Sequence, residues 1–405
     1  MRMVRNIVIL GSTGSIGEST LQVACALPDQ IRVVGLAARK NVAKLVEQAI
    51  RFHVRTIAVE DESRWEEARA LARPHGINVL SGRESLCEIA SLSEADTVVC
   101  AVVGLAGLRP VLAAIESGKD VALATKEVLV SSGDLVMRRR AEAGVRILPI
   151  DSEHSALFQC LQSGAWMPAC VREAAAPAEI MAENRIARLI LTASGGPFRN
   201  RSDLDLDSVT PEQALCHPNW RMGKKVTIDS ATMMNKGLEI LEAHELFNIP
   251  VSRIGVLVHP QSIVHSLVEF RDGNLLAQLS QPDMRFPIQF ALTWPERHEV
   301  AMPKLNLAEV GQLSFSEPDE SRFPCLRLAR EAMVTGGTLP AVMNAADEIA
   351  VDAFLQGRIR FTGIGRLIET VLSRHEVLPC DSFDAVFAAD AWARREAVRS
   401  LLMIS

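Results

Sequence analysis

Residues 145 to 158 read VRILPIDSEHSALF, an apolar run that ends in two carboxylates, Asp151 and Glu153, two residues apart. Burying paired negative charge is costly unless a cation or a strong donor set compensates it. Two explanations fit this stretch. Asp151 or Ser152 could cap the helix that SALFQCL suggests. Alternatively, the pair could hold a cation together with a third carboxylate. Glu239, in TIDSATMMNKGLEILEAHELF, is the candidate for the third, and oxygen-only ligation by Asp151, Glu153 and Glu239 suits Mg2+ or Mn2+ better than Zn2+.

The same downstream segment is dense in anion-binding chemistry. Asn235 and Glu239 are spaced i,i+4 and share a helix face, with Lys236 beside them, and Ser230 precedes them. Lys236 and Ser230 could bind a phosphate, although Lys236 and Glu239 could equally be an exposed helix pair. TASGGPFR offers Ser194 in a small-residue turn suited to holding an anion through backbone N–H groups. CHPNWRMGKK combines His217, Asn219 and Trp220 as a mobile polar loop with one large apolar cover would. His259 and His265, in VHPQSIVHS, read as satisfied core or supporting histidines.

These residues need elements to hold them. NIVILGSTGSIGEST places Gly11, Gly14 and Gly17 between a first strand and a first helix, where glycine lets a pyrophosphate approach the backbone at the helix N-terminus. The spacing is G-x-x-G-x-x-G, not the commoner G-x-G-x-x-G. The second strand ends in GLAARKN, with Arg39 and Lys40 and no carboxylate, which suits the 2′-phosphate of NADP(H) rather than the bare ribose of NAD.

Strand-like and helix-like patterns alternate through residue 150, the rhythm of a doubly wound, Rossmann-like parallel sheet. Segments 186–193, 224–229, 254–258, 262–270 and 274–280 suggest a second α/β region, with a hairpin turning at Asp272-Gly273. Residues 286–312 carry Pro287, Pro295 and Pro303 without strong periodicity and read as a linker; the pattern from about 318 onward is helical. The division expected is therefore a nucleotide-binding domain over 1–150, a catalytic domain over 151–285, a linker over 286–312 and a helical domain over 313–405. Residues 165–185 match nothing distinctive and read as a surface connection.

Composition excludes several classes. The chain has 405 residues, 48% hydrophobic and 23% charged, with 43 Lys and Arg against 49 Asp and Glu for a net charge of −6. That is an ordinary globular composition, and its sign argues against nucleic-acid or anionic-membrane partners. There is no Tyr, so a base-stacking platform is not expected. Eight scattered cysteines show no metal-ligand spacing and fit a reduced, cytoplasmic setting. No apolar stretch approaches the roughly 18 residues of a membrane span, and no signal or transit segment is expected.

The strings GSTGSIG, ATKE, PIDSEHSA, LTASGGPFR, HPNWRMG, DSATMMNKGLE, HPQSIVHS and PDMRFPI occur in this order across nearly the whole chain. Together they resemble the 1-deoxy-D-xylulose 5-phosphate reductoisomerase family. The resemblance implies a homodimer acting on a sugar phosphate with NADPH and a divalent ion, Mg2+, Mn2+ or Co2+. It implies that Asp151, Glu153 and Glu239 hold the ion. Ser194, Ser230, Asn235 and Lys236 would grip the substrate phosphate, with Ser152 and Lys126 near the reacting hydroxyls. His217, Trp220 and Met222 would belong to a closing loop. Thr13, Gly14, Ser15, Ile16, Arg39, Lys40, Asn41, Thr125, Lys126, Glu127 and Gly223 would contact NADPH. The implied chemistry is a skeletal rearrangement, most simply retro-aldol cleavage and re-aldolisation, followed by reduction to 2-C-methyl-D-erythritol 4-phosphate. Arg39 and Thr125 stand where members of the family often have Gly and Asn; Arg39 should strengthen the hold on the 2′-phosphate.

Two other readings compete. A metal-independent NADP-dependent dehydrogenase of a phosphorylated or semialdehyde substrate would survive chelation. A nucleotide-sensing regulator would bind NADPH and consume none. Replacing Arg39 and Lys40 together should raise the Michaelis constant for NADPH and leave use of NADH nearly unchanged in steady-state assays; equal use of both cofactors by the unaltered protein would contradict the assignment.

Overall fold

The computed structural model describes residues 4–162, 168–171, 185–201, 203–220, 222–299 and 301–404. Short apolar strands separated by amphipathic helices can pair in parallel only if each helix carries the chain back across a sheet face. The first half does this through β1 (Arg5–Leu10), α1 (Ser15–Ala26), β2 (Ile31–Ala38), α2 (Val42–Arg51), β3 (Thr56–Val59), α3 (Trp65–Ala72), β4 (Asn78–Ser81), α4 (Ser85–Ala90), β5 (Thr97–Cys100), α5 (Leu108–Glu116), β6 (Asp120–Leu123), α6 (Glu127–Ala143) and β7 (Ile147–Pro149). Every neighbouring pair is parallel, in the order β4-β3-β2-β1-β5-β6-β7. The strand order reverses between β1 and β5, and ligands of such sheets bind in the crevice at that point.

The glycine turn sits at this crevice, and its packing explains its composition. Gly11 has φ of 87°, and a Cβ there would lie 2.6 Å from the carbonyl oxygen of Ala101, just past β5. Gly17 lies under the turn, where a Cβ would meet the Gly11 carbonyl oxygen and the Ser12 Cα at 2.4 Å. Beneath it, the buried Ser12 hydroxyl donates to Gln48 Oε1 at 2.8 Å, and Gln48 Nε2 donates to the Ser12 carbonyl at 3.1 Å.

The second half comprises α7 (Ser152–Leu161), β8 (Ile186–Ala193), α8 (Pro211–Ala214), α9 (Lys224–Thr232), α10 (Met234–Phe247), β9 (Ile254–Val258), β10 (Val264–Phe270), β11 (Leu275–Leu279), α11 (Arg285–Thr293), α12 (Leu307–Val310), α13 (Cys325–Thr335), α14 (Leu339–Leu355), α15 (Phe361–Arg374) and α16 (Phe383–Leu401). Its strands form a mixed sheet, β11-β10-β8-β9. β10 and β11 are the expected hairpin: Gly273 has φ of 85°, and Asp272 Oδ1 accepts the Asn274 N–H at 3.0 Å. Helices α13, α15 and α16 pack around α14, whose apolar residues are buried on almost every side.

Two stretches depart from the sequence reading. The prolines of 286–312 suggest a linker, yet its first part is α11, with Ile288, Phe290 and Leu292 buried. Pro287 is the third residue of that helix, where an N–H has no intrahelical partner to lose. Phe290 and Trp294 pack on Phe158 of α7 at ring distances of 5.9 and 5.8 Å. Arg5 closes the end of α11 by donating to the carbonyls of Leu292 and Trp294 at 2.8 and 3.2 Å. In the segment read as a surface connection, 168–171 are tucked inward: Cys170 is fully buried and its carbonyl accepts the Ile147 N–H at 2.9 Å. Residues 165–167 and 172–184 of that segment lie outside the described residues.

Because Gly17 meets backbone and not a flexible side chain, Gly17→Ala should cost about 1–3 kcal/mol, the range for overpacking a tight interior site. Urea unfolding monitored by circular dichroism measures it; unchanged stability would mean that α1 can move away from the turn freely.

Candidate active site

A cleft of about 540 Å³ opens between the C-terminal ends of the parallel strands and the second sheet, and it is lined by residues from both halves. β6 delivers Lys126 to its wall, and β7 delivers Asp151, Ser152 and Glu153. The opposite wall is α10. Met233, at φ of 66°, is a left-handed joint that ends α9 and starts α10 in a new direction, so Ser230 on one helix and Asn235, Lys236 and Glu239 on the next all face the cleft.

Asp151 occupies the N-cap position of α7, yet its side chain makes no capping hydrogen bond. It is paired instead with Lys126 Nζ. The capping explanation therefore fails on its hydrogen bonds. Lys126 Nζ also lies 3.1 Å from Glu239 Oε1 and from Asn235 Oδ1. Lys236 Nζ is 3.2 Å from Glu153 Oε1 and pairs with Glu239. Ser152 donates to Glu153 Oε2 at 2.5 Å.

Two ammonium groups thus face three carboxylates, leaving one negative charge in excess. Burial, then the Glu239 carboxylate, pushes the Glu153 carboxyl up to about 8. Burial works against ionised Asp151 too, but the Lys126 ammonium outweighs it and holds that carboxyl well below its usual value. Lys126 is held well above the ordinary lysine range: burial opposes its charge, and Asp151 and Glu239 more than restore it.

The trio fits a hard divalent ion. One oxygen from each of Asp151, Glu153 and Glu239 comes within 4.8 Å of the others, and no softer donor is among them. A second group, Asp151, His154 and Glu242, shares Asp151. Here His154 Nε2 is engaged by the Glu239 carbonyl oxygen at 2.8 Å, while Nδ1 faces Glu242 Oε2 at 3.4 Å. Burial disfavours the imidazolium, but Glu242, then Asp151, raise His154 to about 9. With Nε2 on the Glu239 backbone and Nδ1 turned to Glu242, His154 braces the trio from behind.

Ser194 follows β8 and meets the covering loop: its Oγ is 2.9 Å from His217 Nε2. His217 Nδ1 accepts the N–H groups of Asn219 and Trp220 at 3.2 and 2.9 Å, so the ring proton belongs on Nε2. Burial, then Arg199, lowers His217 to about 4, which keeps the ring neutral near pH 7. Asn219 Nδ2 pins the loop to the second sheet by donating to the Pro260 carbonyl at 2.6 Å and to Ser262 Oγ at 2.9 Å. His265 lines the cleft, holds Ser280 Oγ at 2.9 Å and is lowered to about 4 by burial. His259 serves the interior: it contacts the Ser314 carbonyl and accepts the N–H groups of Ile263 and Val264.

Of the expected nucleotide contacts, Ser15, Ile16, Lys126 and Gly223 line the cleft. Thr13 and Gly14 form the turn above it, and Gly14 caps α1 with no side-chain bond, which leaves the first N–H groups of that helix open to an anion. Arg39 and Lys40 are exposed at the end of β2, and Asn41 caps α2 by accepting the Lys44 N–H at 3.4 Å. Thr125 and Glu127 do not face the cleft. The Thr125 hydroxyl is spent on the Val102 carbonyl oxygen at 2.5 Å, and Glu127 lies 3.9 Å from Lys225. His154 and Glu242 went unrecognised in the sequence. The available signal was their i,i+3 spacing from Asp151 and Glu239.

A glycine crevice at a strand-order reversal, running without a wall into a pocket of compensated carboxylates, is the architecture of a nicotinamide-nucleotide oxidoreductase with a metal-assisted substrate site. Comparison with known proteins narrows this class. Residues 7–133 match the family described as 1-deoxy-D-xylulose 5-phosphate reductoisomerase, 147–247 match its C-terminal domain, and 279–396 match the DXP reductoisomerase C-terminal domain. The 1-deoxy-D-xylulose 5-phosphate reductoisomerase of Moorella thermoacetica is 49% identical over 395 residues, 98% of each chain. The structure of the Zymomonas mobilis enzyme with NADPH superposes with a TM-score of 0.88 at 42% identity, covering 98% of this chain and 99% of that one. A DOX-P reductoisomerase in complex with NADPH, fosmidomycin and magnesium gives 0.91 at 39% identity, covering 99% of both chains. The chain belongs to the 1-deoxy-D-xylulose 5-phosphate reductoisomerase family.

Because Glu153 is raised to about 8 in the metal-free site, it must lose a proton to become a ligand. Mg2+ affinity should therefore climb by up to about tenfold per pH unit below that value and level off above it. Calorimetry at pH 7 in two buffers of different ionisation enthalpy should detect proton release on Mg2+ binding; affinity independent of pH with no released proton would contradict the assignment.

Proposed function

We propose that the protein converts 1-deoxy-D-xylulose 5-phosphate to 2-C-methyl-D-erythritol 4-phosphate, using NADPH and a divalent ion, in non-mevalonate isoprenoid biosynthesis. One observation carries this reading: Ser15 and Ile16 of the nucleotide turn line the same cleft as Asp151, Glu153 and Glu239. A hydride donor seated on the turn and a substrate seated on the carboxylates would share one enclosure.

In this reading Asp151, Glu153 and Glu239 hold the ion, which supplies Lewis-acid polarisation and a template for substrate oxygens. NADPH supplies the hydride, with Arg39 and Lys40 facing its 2′-phosphate. Ser194, Ser230, Asn235 and Lys236 bind the substrate phosphate, so that binding energy remote from the reacting carbons positions them. Lys126, beside Asp151 and Glu239, stands as a donor to a substrate oxygen. Ser152 stands beside it. Neutral His217 gives its Nε2–H to Ser194 and so orients that hydroxyl, and the Trp220 side of its loop excludes water from the aldehyde stage of the reaction.

The proposal includes a homodimer in a cytoplasmic setting. β11 is an edge strand with Leu275 and Leu276 53% and 40% exposed, and an apolar edge of this kind calls for a cover. No cysteine pair among the described residues forms a disulfide, and no described helix is long and apolar enough to cross a membrane.

The test is NADPH oxidation on adding 1-deoxy-D-xylulose 5-phosphate, with and without Mg2+ or Mn2+. Activity that persists in chelator would return the metal-independent dehydrogenase. Asp151→Asn keeps the shape of the side chain but is a poorer ligand for a hard ion. It should abolish metal-dependent turnover while leaving NADPH affinity, measured by fluorescence, nearly intact. An unchanged metal titration in this variant would remove Asp151 from the site.

A further inference from the structure

A second buried ionic group lies behind the cleft and takes no part in the reading above. Lys225, in the first turn of α9, places Nζ 2.6 Å from Asp229 Oδ2 and 2.7 Å from Asp347 Oδ2, with Glu127 Oε1 at 3.9 Å. The Asp229 and Asp347 side chains are 2% and 0% exposed, and Lys225 only 13%. Asp347 belongs to α14, the central helix of the C-terminal bundle, where it is the one acidic residue fully enclosed by the helix's neighbours among the described residues.

What these residues join is the informative part. Asp229 immediately precedes Ser230, whose residue lines the cleft. Glu127 immediately follows Lys126, the ammonium that pairs with Asp151. Gly223, the N-cap of α9, is the last residue of the covering loop and itself lines the cleft. A single ammonium therefore ties α9, α6 and α14 together one residue away from the cleft on two sides. Buried ion pairs are poor stabilisers, since desolvation offsets most of their attraction and apolar replacements often stabilise more. A role in holding orientation accounts for the group better than a role in stability.

The polar atoms also show how the group is arranged. Asp229 Oδ1 and Asp347 Oδ1 are buried without a hydrogen bond. Burial, then the Asp347 carboxylate, holds Asp229 well above the usual carboxylate range. One ammonium thus faces both carboxyl groups, and an amide in place of Asp347 keeps an acceptor for Lys225.

We propose that Lys225, Asp229 and Asp347 form a positioning cluster through which the C-terminal helices fix α9 so that Ser230 meets the substrate phosphate. This rests on the assignment of Ser230 to that phosphate. The cluster touches no substrate; it acts through the helix that carries the serine.

Steady-state kinetics of Asp347→Ala, Asp347→Asn and Ser230→Ala, with thermal midpoints, test it. Asp347→Ala should raise the KM for 1-deoxy-D-xylulose 5-phosphate by about tenfold or more, the scale of a small misplacement. Its KM for NADPH should stay nearly unchanged, and Asp347→Asn should restore the substrate KM. Should Asp347→Ala fail to fold, Lys225→Gln should show the same split between the two KM values. A lowered midpoint with an unmoved substrate KM in whichever of the two folds overturns the proposal and leaves a purely structural cluster. If Ser230→Ala raises the substrate KM while Asp347→Ala does not, this inference alone fails. If Ser230→Ala also leaves that KM unmoved, the phosphate assignment fails and this inference with it.

Discussion

Negative charge that water cannot reach has to be answered locally, and in this protein three carboxylates at one point impose that requirement on the elements around them. Asp151 and Glu153 come from the end of a core strand, and Glu239 from the middle of a buried helix. Lys126 and Lys236 are drawn in from opposite sides, His154 and Glu242 stand behind them, and the excess that remains pushes the Glu153 carboxyl up to about 8. Such a centre stores affinity for a small, doubly charged cation, because a cation relieves repulsion that the lysines satisfy only in part.

The chain achieves this convergence by joining two sheets of different kinds. The parallel sheet aims the ends of β1, β6 and β7 at one crevice, as any doubly wound sheet does at its switch point. The mixed sheet contributes the Ser194 turn and the floor under the covering loop. Between them, the left-handed joint at Met233 lets two consecutive helices face one cavity. The C-terminal bundle then presses on α6, α9 and α10 from outside, so the helices bearing the chemistry are supported on the side away from solvent.

What was legible in the sequence was whatever depends on neighbours along the chain. The glycine turn, the strand-helix alternation and the Asp272-Gly273 hairpin follow from local rules, and the family strings made the cleft's serines, lysines and carboxylates visible together. Pro287 misled because a proline breaks a helix interior but not a first turn, and the sequence alone does not say where the turn begins. Thr125 and Glu127 were expected at the nucleotide through the family resemblance, yet around the start of α6 successive residues point to different faces, and both side chains turn inward. The Lys225 group was out of reach for another reason. Asp347 lies 122 positions from Lys225 along the chain, and no periodicity within α14 marks one buried acid as the partner of a distant lysine.

The hydroxyl of Ser194 shows how the site can tell ligands apart by the polarity of their hydrogen bonds. A serine has one proton to give and two lone pairs to receive with. Here both receiving positions are taken, one by the His217 Nε2–H at 2.9 Å and the other by the Gly196 N–H at 3.3 Å. Only the proton remains. Whatever docks against Ser194 must therefore offer an acceptor, and a group presenting its own hydrogen would face a filled oxygen. A phosphate or phosphonate oxygen meets that condition in any rotation, whereas a neutral alcohol of the same size meets it in only some. The covering loop, by supplying the histidine, sets this preference before any ligand arrives.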